Sequence, residues 1–166
     1  MNINIFGSTG IIGQKTLSII KNYFPKIKIN LLCANSSLEL LSKQVKLYKP
    51  NYVYINNQSL ILRLKQKINN KTKILTYKEL LKFLKETNSD YTILAISGYK
   101  SLYFLDQIIL NTKNLGIVNK ESIVSAGHIF KKKNYFNKTN IFPIDSEHFS
   151  LFELFNKINS KTKIKK

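Results

Sequence analysis

Residues 7–13 read Gly7-Ser8-Thr9-Gly10-Ile11-Ile12-Gly13, and this glycine-rich stretch decides the fold. It follows a strand pattern over residues 2–6 and runs directly into a helical pattern over residues 12–23. Glycines at such a junction let the backbone turn tightly and approach a pyrophosphate, whose charge the helix N-terminus favours. The spacing G-x-x-G-x-x-G therefore predicts a nucleotide-binding loop, with a merely tight turn as the alternative.

Outward from this loop, short β-branched segments alternate with helical patterns along the whole chain. Such alternation is typical of βαβ units, so we predict an α/β fold, a doubly wound and mostly parallel sheet of the Rossmann-like type. The predicted strands cover residues 2–6, 28–34, 52–55, 74–75, 91–96, 115–118 and 141–144. The predicted helices cover residues 12–23, 38–47, 59–68, 80–86 and 102–110, and a further helix begins at Lys120.

The composition limits the choice of partners. The chain has 166 residues and a formal net charge of +18, with 27 Lys plus Arg against 9 Asp plus Glu. Nucleic acid binding would fit that charge, but Arg63 is the single arginine and the lysines are dispersed, which favours a solvated lysine-rich surface. We therefore expect no nucleic acid and no membrane partner. The lone Cys33 excludes an intrachain disulfide, and residues 1–6 do not resemble a signal peptide, so we expect a cytoplasmic, reducing location.

The end of the second predicted strand bears on the choice of dinucleotide. NAD-selective Rossmann proteins usually place a carboxylate there, on the 2′-hydroxyl of the adenosine ribose. This strand ends instead in Asn35-Ser36-Ser37, without an acid. Amides and hydroxyls can bind a 2′-phosphate without repelling it, so we predict NADP rather than NAD. Ser36 could also cap the next helix, and both roles are compatible.

Two further motifs follow predicted strands. Asn119-Lys120-Glu121-Ser122 opens a helix, where Asn119 can serve as the cap. A lysine in a first helical turn opposes the macrodipole, so Lys120 is either a tolerated surface residue or one placed to meet an anion.

The second motif, Pro143-Ile144-Asp145-Ser146-Glu147-His148, lies at the end of the last predicted strand. If the segment is extended, Asp145 and Glu147 point to the same side, and two carboxylates suit Mg²⁺ or Mn²⁺. The alternative is a capping Asp with Glu in the first turn of a helix over residues 149–154.

Taken together and in this order, the motifs GSTGIIG, NKES and PIDSEH resemble those of the 1-deoxy-D-xylulose 5-phosphate reductoisomerase family, and the resemblance extends over the whole chain. It implies an NADPH-dependent and metal-dependent enzyme of isoprenoid precursor synthesis, in which isomerisation of a phosphosugar is followed by its reduction. The implied cofactor-binding residues are Gly7, Ser8, Thr9, Gly10, Ile11, Ile12, Asn35, Ser36, Ser37, Asn119 and Glu121. The implied substrate-binding residues are Lys120, Ser146 and Glu147, the metal ligands are Asp145 and Glu147, and the catalytic residues are Lys120 and Glu147.

The same resemblance implies a division of the chain and a longer protein. Residues 1–144 would form the NADPH-binding domain, and residues 145–166 would begin the metal-binding and substrate-binding region. Family members are much longer and usually dimeric, so the sequence is interpreted as a fragment with little or no turnover by itself. Two alternatives are a non-catalytic NADP-binding remnant and another NADP-dependent dehydrogenase. Semialdehyde dehydrogenases have a similar loop, but they need a cysteine nucleophile and Cys33 lies within a predicted strand.

Overall fold

The computed structural model describes residues 1–68, 71–133 and 135–157. The strands are β1 (Asn2–Phe6), β2 (Lys28–Ala34), β3 (Tyr52–Ile55), β4 (Lys73–Leu75), β5 (Ser89–Leu94), β6 (Thr112–Ile117) and β7 (Asn140–Pro143). The helices are α1 (Ile11–Tyr23), α2 (Leu38–Tyr48), α3 (Ile61–Lys67), α4 (Tyr77–Glu86), α5 (Leu102–Leu110), α6 (Lys120–Lys132) and α7 (Ser146–Lys157). Short 3-10 helices cover Gln58–Leu60, Tyr99–Ser101 and Tyr135–Asn137.

Within these residues the sheet has seven strands in the order β4-β3-β2-β1-β5-β6-β7, and every neighbouring pair is parallel. This arrangement confirms the predicted doubly wound fold. The strand order reverses between β1 and β5, so the connections that leave these two strands run in opposite directions and leave a crevice between them. The residues that follow β1 are those of the glycine-rich loop.

Two apolar cores hold the sheet between its layers of helices. One core contains Phe6, Leu94 and Phe104, and the other contains Ile5 and Leu17, all of them buried. Successive strand residues point to opposite faces, which is why Ile5 and Phe6 contribute to different cores. Each large side chain buried in this way stabilises the fold by roughly 1.5–3 kcal/mol. The glycine-rich loop is thus attached to a rigid support.

Local signals explain where individual helices begin and end. Helix α2 ends at Lys49, which adopts a left-handed conformation (φ 48°) directly before Pro50. Helix α4 begins three residues before the predicted boundary because Thr76 and Glu79 form a reciprocal capping box. The predicted helix over residues 59–68 is divided, since a 3-10 turn precedes α3. None of the described helices is both long enough and apolar enough to cross a bilayer.

Candidate functional site

A cleft of about 600 Å³ opens at the point where the strand order reverses. Its walls come from the loop after β1, the ends of β2 and β3, and the segment after β5. Four of the residues predicted to bind cofactor line it, namely Gly7, Thr9, Gly10 and Asn35. Ligands of open α/β sheets bind in this type of crevice, beyond the carboxyl ends of the strands.

Each of the three glycines in the loop is required, or tolerated, for a different structural reason. Gly7 has φ +79°, and a Cβ there would collide with the backbone oxygen of Ala95 on the neighbouring strand end. A Cβ on Gly13 would collide with the backbone oxygen of Gly7, because α1 packs directly against the loop. Gly10 has more room, since its Cβ would lie 3.3 Å from that same oxygen. Gly7 and Gly13 therefore shape the loop, and Gly10 keeps its rim free of side chains.

The N-terminus of α1 adjoins this loop, and no negatively charged side chain of the helix itself neutralises it. Gly10 is the N-cap residue, so no side chain caps the helix, and its first turn contains no acidic residue. The backbone N–H groups of a first turn have no partner within the helix, and the macrodipole adds partial positive charge. The exposed Ile11 and the partly buried Ile12 occupy this turn. This helix end can accept a phosphate group.

Ser8 faces away from the cleft. It is fully buried, and its hydroxyl donates to Gln44 Oε1 on α2 at 2.8 Å, while Gln44 Nε2 donates to the Ser8 carbonyl oxygen at 2.7 Å. Both polar groups of the pair are thus satisfied in the interior. Ser8 thus holds the loop against α2.

The end of β2 contains amides and hydroxyls and no carboxylate, as predicted. Asn35 lies on the cleft wall, and its Oδ1 accepts a hydrogen bond of 3.0 Å from Asn56 Nδ2. Ser37 rather than Ser36 is the N-cap residue of α2, and its hydroxyl makes no capping bond. The alternative role of Ser36, as the cap of α2, was therefore wrong.

Asn56 and Tyr54 also line the cleft, and neither was predicted to belong to the site. Tyr54 donates to Asn56 Oδ1 at 3.0 Å. Burial, together with the neighbouring Cys33 and Tyr77, raises the pKa of Tyr54 to about 12, so the phenol keeps its proton at neutral pH. The sequence position of Asn56 could have identified it, because Asn56 follows β3 and Asn35 follows β2. These strands are parallel neighbours, so their carboxyl ends lie at the same edge of the sheet.

Asn119 is buried and has a different role from the predicted cap. It occupies the N-cap position of α6, but its side chain makes no capping bond. Its Nδ2 instead donates to the carbonyl oxygens of Ile96 and Gly98 and to Ser101 Oγ, at 2.8, 2.7 and 3.0 Å. Helix α6 begins after Asn119 as predicted, but the predicted side-chain cap is wrong, because the loop after β5 accepts the hydrogen bonds of this amide instead. Asn119 thus fixes one wall of the cleft.

The other residues of the second motif follow Asn119 in the first turn of α6. Glu121 is exposed in the first turn of α6. The side chain of Lys120, the predicted substrate-binding and catalytic lysine, lies outside the described residues. The segment after β5 packs against the start of α6 and contributes Tyr99, Lys100 and Tyr103 to the cleft wall. None of these three was among the predicted site residues.

The predicted metal-binding segment is not extended. Helix α7 begins at Ser146, so Glu147 lies in its first turn and the same-side argument from strand geometry was wrong. Asp145 precedes the helix, and its Oδ2 accepts from the backbone N of His148 at 3.4 Å and lies 2.7 Å from His148 Nδ1. The capping alternative therefore describes this geometry.

The two carboxylates remain close to each other on the chain. Burial raises the pKa of Asp145, but hydrogen bonds from His148, with a smaller contribution from Glu147, outweigh it and the pKa is lowered. The charged form of Asp145 is therefore favoured. Ser146 donates to Glu147 Oε2 at 2.8 Å. Among residues 1–68, 71–133 and 135–157, no three His, Cys, Asp or Glu side chains are grouped so that they could hold a metal.

These features define a class: a Rossmann-like α/β domain with a glycine-rich loop at its switch point, the place between β1 and β5 where the strand order reverses. A family model described as 1-deoxy-D-xylulose 5-phosphate reductoisomerase matches residues 3–127. The chain belongs to this family. That result confirms the resemblance that the three motifs indicated.

Individual relatives agree with the family assignment. The reductoisomerase of Pelagibacter ubique is 40% identical over 167 residues, which cover 98% of this chain and 43% of the relative. That of Wigglesworthia glossinidia brevipalpis is 37% identical, covering 91% and 39%. The chain therefore spans less than half the length of these curated relatives.

Solved structures give the same picture. The Zymomonas mobilis reductoisomerase in complex with NADPH superposes with a TM-score of 0.82 at 27% identity, covering 92% of this chain and 40% of that one. A second reductoisomerase structure, in complex with NADPH, fosmidomycin and magnesium, has a TM-score of 0.79 at 28% identity, covering 89% and 37%.

Proposed function

We propose that this chain forms the NADPH-binding part of a 1-deoxy-D-xylulose 5-phosphate reductoisomerase. The whole enzyme would convert 1-deoxy-D-xylulose 5-phosphate to 2-C-methyl-D-erythritol 4-phosphate, with NADPH and Mg²⁺ or Mn²⁺. One observation carries the proposal: the uncapped, acid-free N-terminus of α1 stands at the switch point beside a strand end that also lacks an acid. Both features favour a ligand with phosphate at each position.

The size of the cleft and the residues that line it support this proposal. Its volume of about 600 Å³ falls within the usual range for ligand pockets. In this proposal the backbone of residues 7–12, with Thr9 at the rim, binds the pyrophosphate, and residues 35–37 face the 2′-phosphate. Asn119 holds the opposite wall in place through its bonds to the loop after β5, and Glu121 begins the helix beside it. Bound NADPH would supply the hydride.

The metal proposal rests on the chemistry of the donors. Asp145 and Glu147 offer the hard oxygen ligands that Mg²⁺ and Mn²⁺ prefer, and both stand at the start of α7. Two carboxylates alone should bind such a cation weakly, so further ligands would come from the rest of a full-length protein. The metal would act as a Lewis acid on the substrate. Ser146, Glu147 and Lys120 are the proposed contacts to the phosphosugar, and Lys120 and Glu147 are the proposed catalytic residues.

This assignment divides the chain at the end of β7. We assign residues 1–144 to the NADPH-binding domain and residues 145–166 to the start of the metal-binding and substrate-binding region. A homodimer of the full-length protein and a cytoplasmic location are part of the same proposal.

The decisive experiment is a titration of the purified chain with NADPH, in which the fluorescence of the dinucleotide reports binding. Gly10→Asp should abolish binding, because it adds a negative charge at the proposed phosphate site. Gly127→Asp is the matched control: it makes the same change on α6, where an added Cβ meets nothing within 4 Å. The proposal fails if the unmodified chain does not bind NADPH, or if the two variants bind it equally well.

A further inference from the structure

Three polar side chains form a continuous hydrogen-bonded line along one wall of the cleft. Tyr54 Oη donates to Asn56 Oδ1 at 3.0 Å, and Asn56 Nδ2 donates to Asn35 Oδ1 at 3.0 Å. Tyr54 is buried, whereas Asn56 and Asn35 are exposed and line the cleft. The line therefore runs from the interior to the surface that a ligand would contact.

The hydrogen bonds of this line run in one donor-to-acceptor direction, which is set by Tyr54 at its buried end. The phenol oxygen of Tyr54 could also accept a hydrogen bond, but its own buried hydrogen needs an acceptor, and Asn56 Oδ1 is the one that the described residues provide. Because an amide group is planar, an oxygen turned toward Tyr54 leaves the Asn56 NH₂ to face Asn35. Asn35 must then turn its own oxygen toward Asn56. Its NH₂ group is left for the cleft, and none of the described residues accepts a hydrogen bond from it.

The backbone holds the two asparagines at a fixed distance. Asn56 N donates to the Ala34 carbonyl oxygen and Asn57 N donates to the Asn35 carbonyl oxygen, each at 2.9 Å. These bonds continue the β2-β3 ladder beyond the last strand residues. Asn35 therefore stands firmly at the strand end that faces the adenosine ribose in dinucleotide-binding domains.

We propose that Tyr54 and Asn56 are positioning residues that orient the Asn35 amide so that its NH₂ donates to the 2′-phosphate of NADPH. This inference rests on the proposed function and adds the element that selects between dinucleotides. A phosphate accepts hydrogen bonds only, so a fixed donor favours it. The 2′-hydroxyl of NADH can also accept from that donor, but it lacks the charge that strengthens the bond.

The test is the ratio of NADPH to NADH dissociation constants for the 166-residue chain. Asn56→Asp replaces the donor to Asn35 by an acceptor, so the Asn35 amide should turn and present its oxygen to the ribose. We expect the preference for NADPH to fall roughly tenfold, the usual effect of losing one charge-assisted hydrogen bond. Asn57→Asp is the matched control, since it adds the same charge one residue along. Asn57 Oδ1 only accepts, from the Ser59 backbone N–H and hydroxyl.

Tyr54→Phe provides a second test that adds no charge. It keeps the buried ring and removes the hydroxyl that sets the direction, so NADPH affinity should fall several-fold while NADH affinity stays unchanged. Equal ratios for Asn56→Asp and Asn57→Asp, or an unchanged ratio for Tyr54→Phe, would overturn the inference and leave the proposed function standing. If the unmodified chain binds neither dinucleotide, both are overturned.

Discussion

The side-chain amide of Asn119 lies 2.7 Å from the carbonyl oxygen of Gly98 and donates to it. This bond joins the start of α6 to the loop after β5, which forms one wall of the cleft. Gly98 has φ +69°, a backbone conformation that residues other than glycine rarely adopt. A buried amide and a glycine in an unusual conformation together define the shape of this wall.

Asn119→Ala should destabilise the fold and loosen this wall. It would remove the donor to the carbonyl oxygens of Ile96 and Gly98, and an unpaired buried polar group costs about 1–3 kcal/mol. Urea unfolding gives the free energy, and hydrogen exchange should show faster opening of residues 97–101. Asn140→Ala is the control, because the Asn140 amide bonds to Asn114 at an exposed site and its loss should have little effect. Equal losses of stability in the two variants would contradict this role of Asn119.

A series of glycine substitutions should separate backbone strain from steric collision. Gly7→Ala combines positive φ with a collision against Ala95, and should cost at least about 2 kcal/mol in the free energy of unfolding. Gly98→Ala has positive φ but nothing within 4 Å of the added Cβ, so it should cost less. Gly127→Ala has neither problem and should stabilise α6 by about 0.5–1 kcal/mol. Chemical denaturation measures the order, and any other order would contradict the assigned reasons.

The strands that the sequence predicts best are those buried on both faces. The bounds of β1, β2 and β3 agree with the prediction, because each of these strands contributes apolar or aromatic side chains to both cores. The prediction places β5 two residues too late, since it begins with the polar Ser89. The hydroxyl of Ser89 is satisfied across the sheet by Thr112, at 2.9 Å. A polar residue with a buried partner cannot be distinguished from a loop residue by pattern alone.

Some features of the candidate site could likewise be predicted from the sequence, and others could not. The glycine loop was predictable because strand, loop and helix are adjacent in sequence and each glycine has a local reason. The roles of Asn119 and Tyr54 were not, because they depend on loops that follow other strands. The start of α7 at Ser146 could have been predicted, since the alternative of a capping Asp145 was consistent with the residues.

Asp106 should contribute to stability in a pH-dependent way. Hydrogen bonds from Lys133 and then Tyr135, each 2.6 Å long, lower the pKa of its carboxyl group below the usual value. The folded state therefore binds protons less readily than the unfolded state. The contribution is present above the unfolded pKa, near 4, and is lost as the pH falls through the lowered folded value.

Asp106→Asn removes this dependence and is the variant to measure. Because the carboxyl group is about half exposed, the loss at pH 7 should stay below about 1 kcal/mol. Urea unfolding at pH 7, 5, 4 and 3 should show the difference between the two proteins shrinking below pH 4. Glu86→Gln serves as the control, since the Glu86 ion pair with Lys82 is exposed and 4.0 Å long. A difference that grows as the pH falls would have the wrong sign.

Two substitutions at Asp145 should separate its capping role from its proposed role as a metal ligand. Asparagine caps helices about as well as aspartate, so Asp145→Asn should leave α7 intact, whereas Asp145→Ala should cost about 1 kcal/mol. Both changes remove the charged oxygen ligand, so both should abolish the weak binding of Mn²⁺ that we expect of the unmodified chain. Calorimetric titration with Mn²⁺, paired with urea unfolding, measures the two roles in the same samples. Glu153→Gln removes a carboxylate from the same helix, away from the proposed ligands, and should change neither. If Asp145→Asn binds Mn²⁺ as the unmodified chain does, Asp145 is a cap and not a ligand.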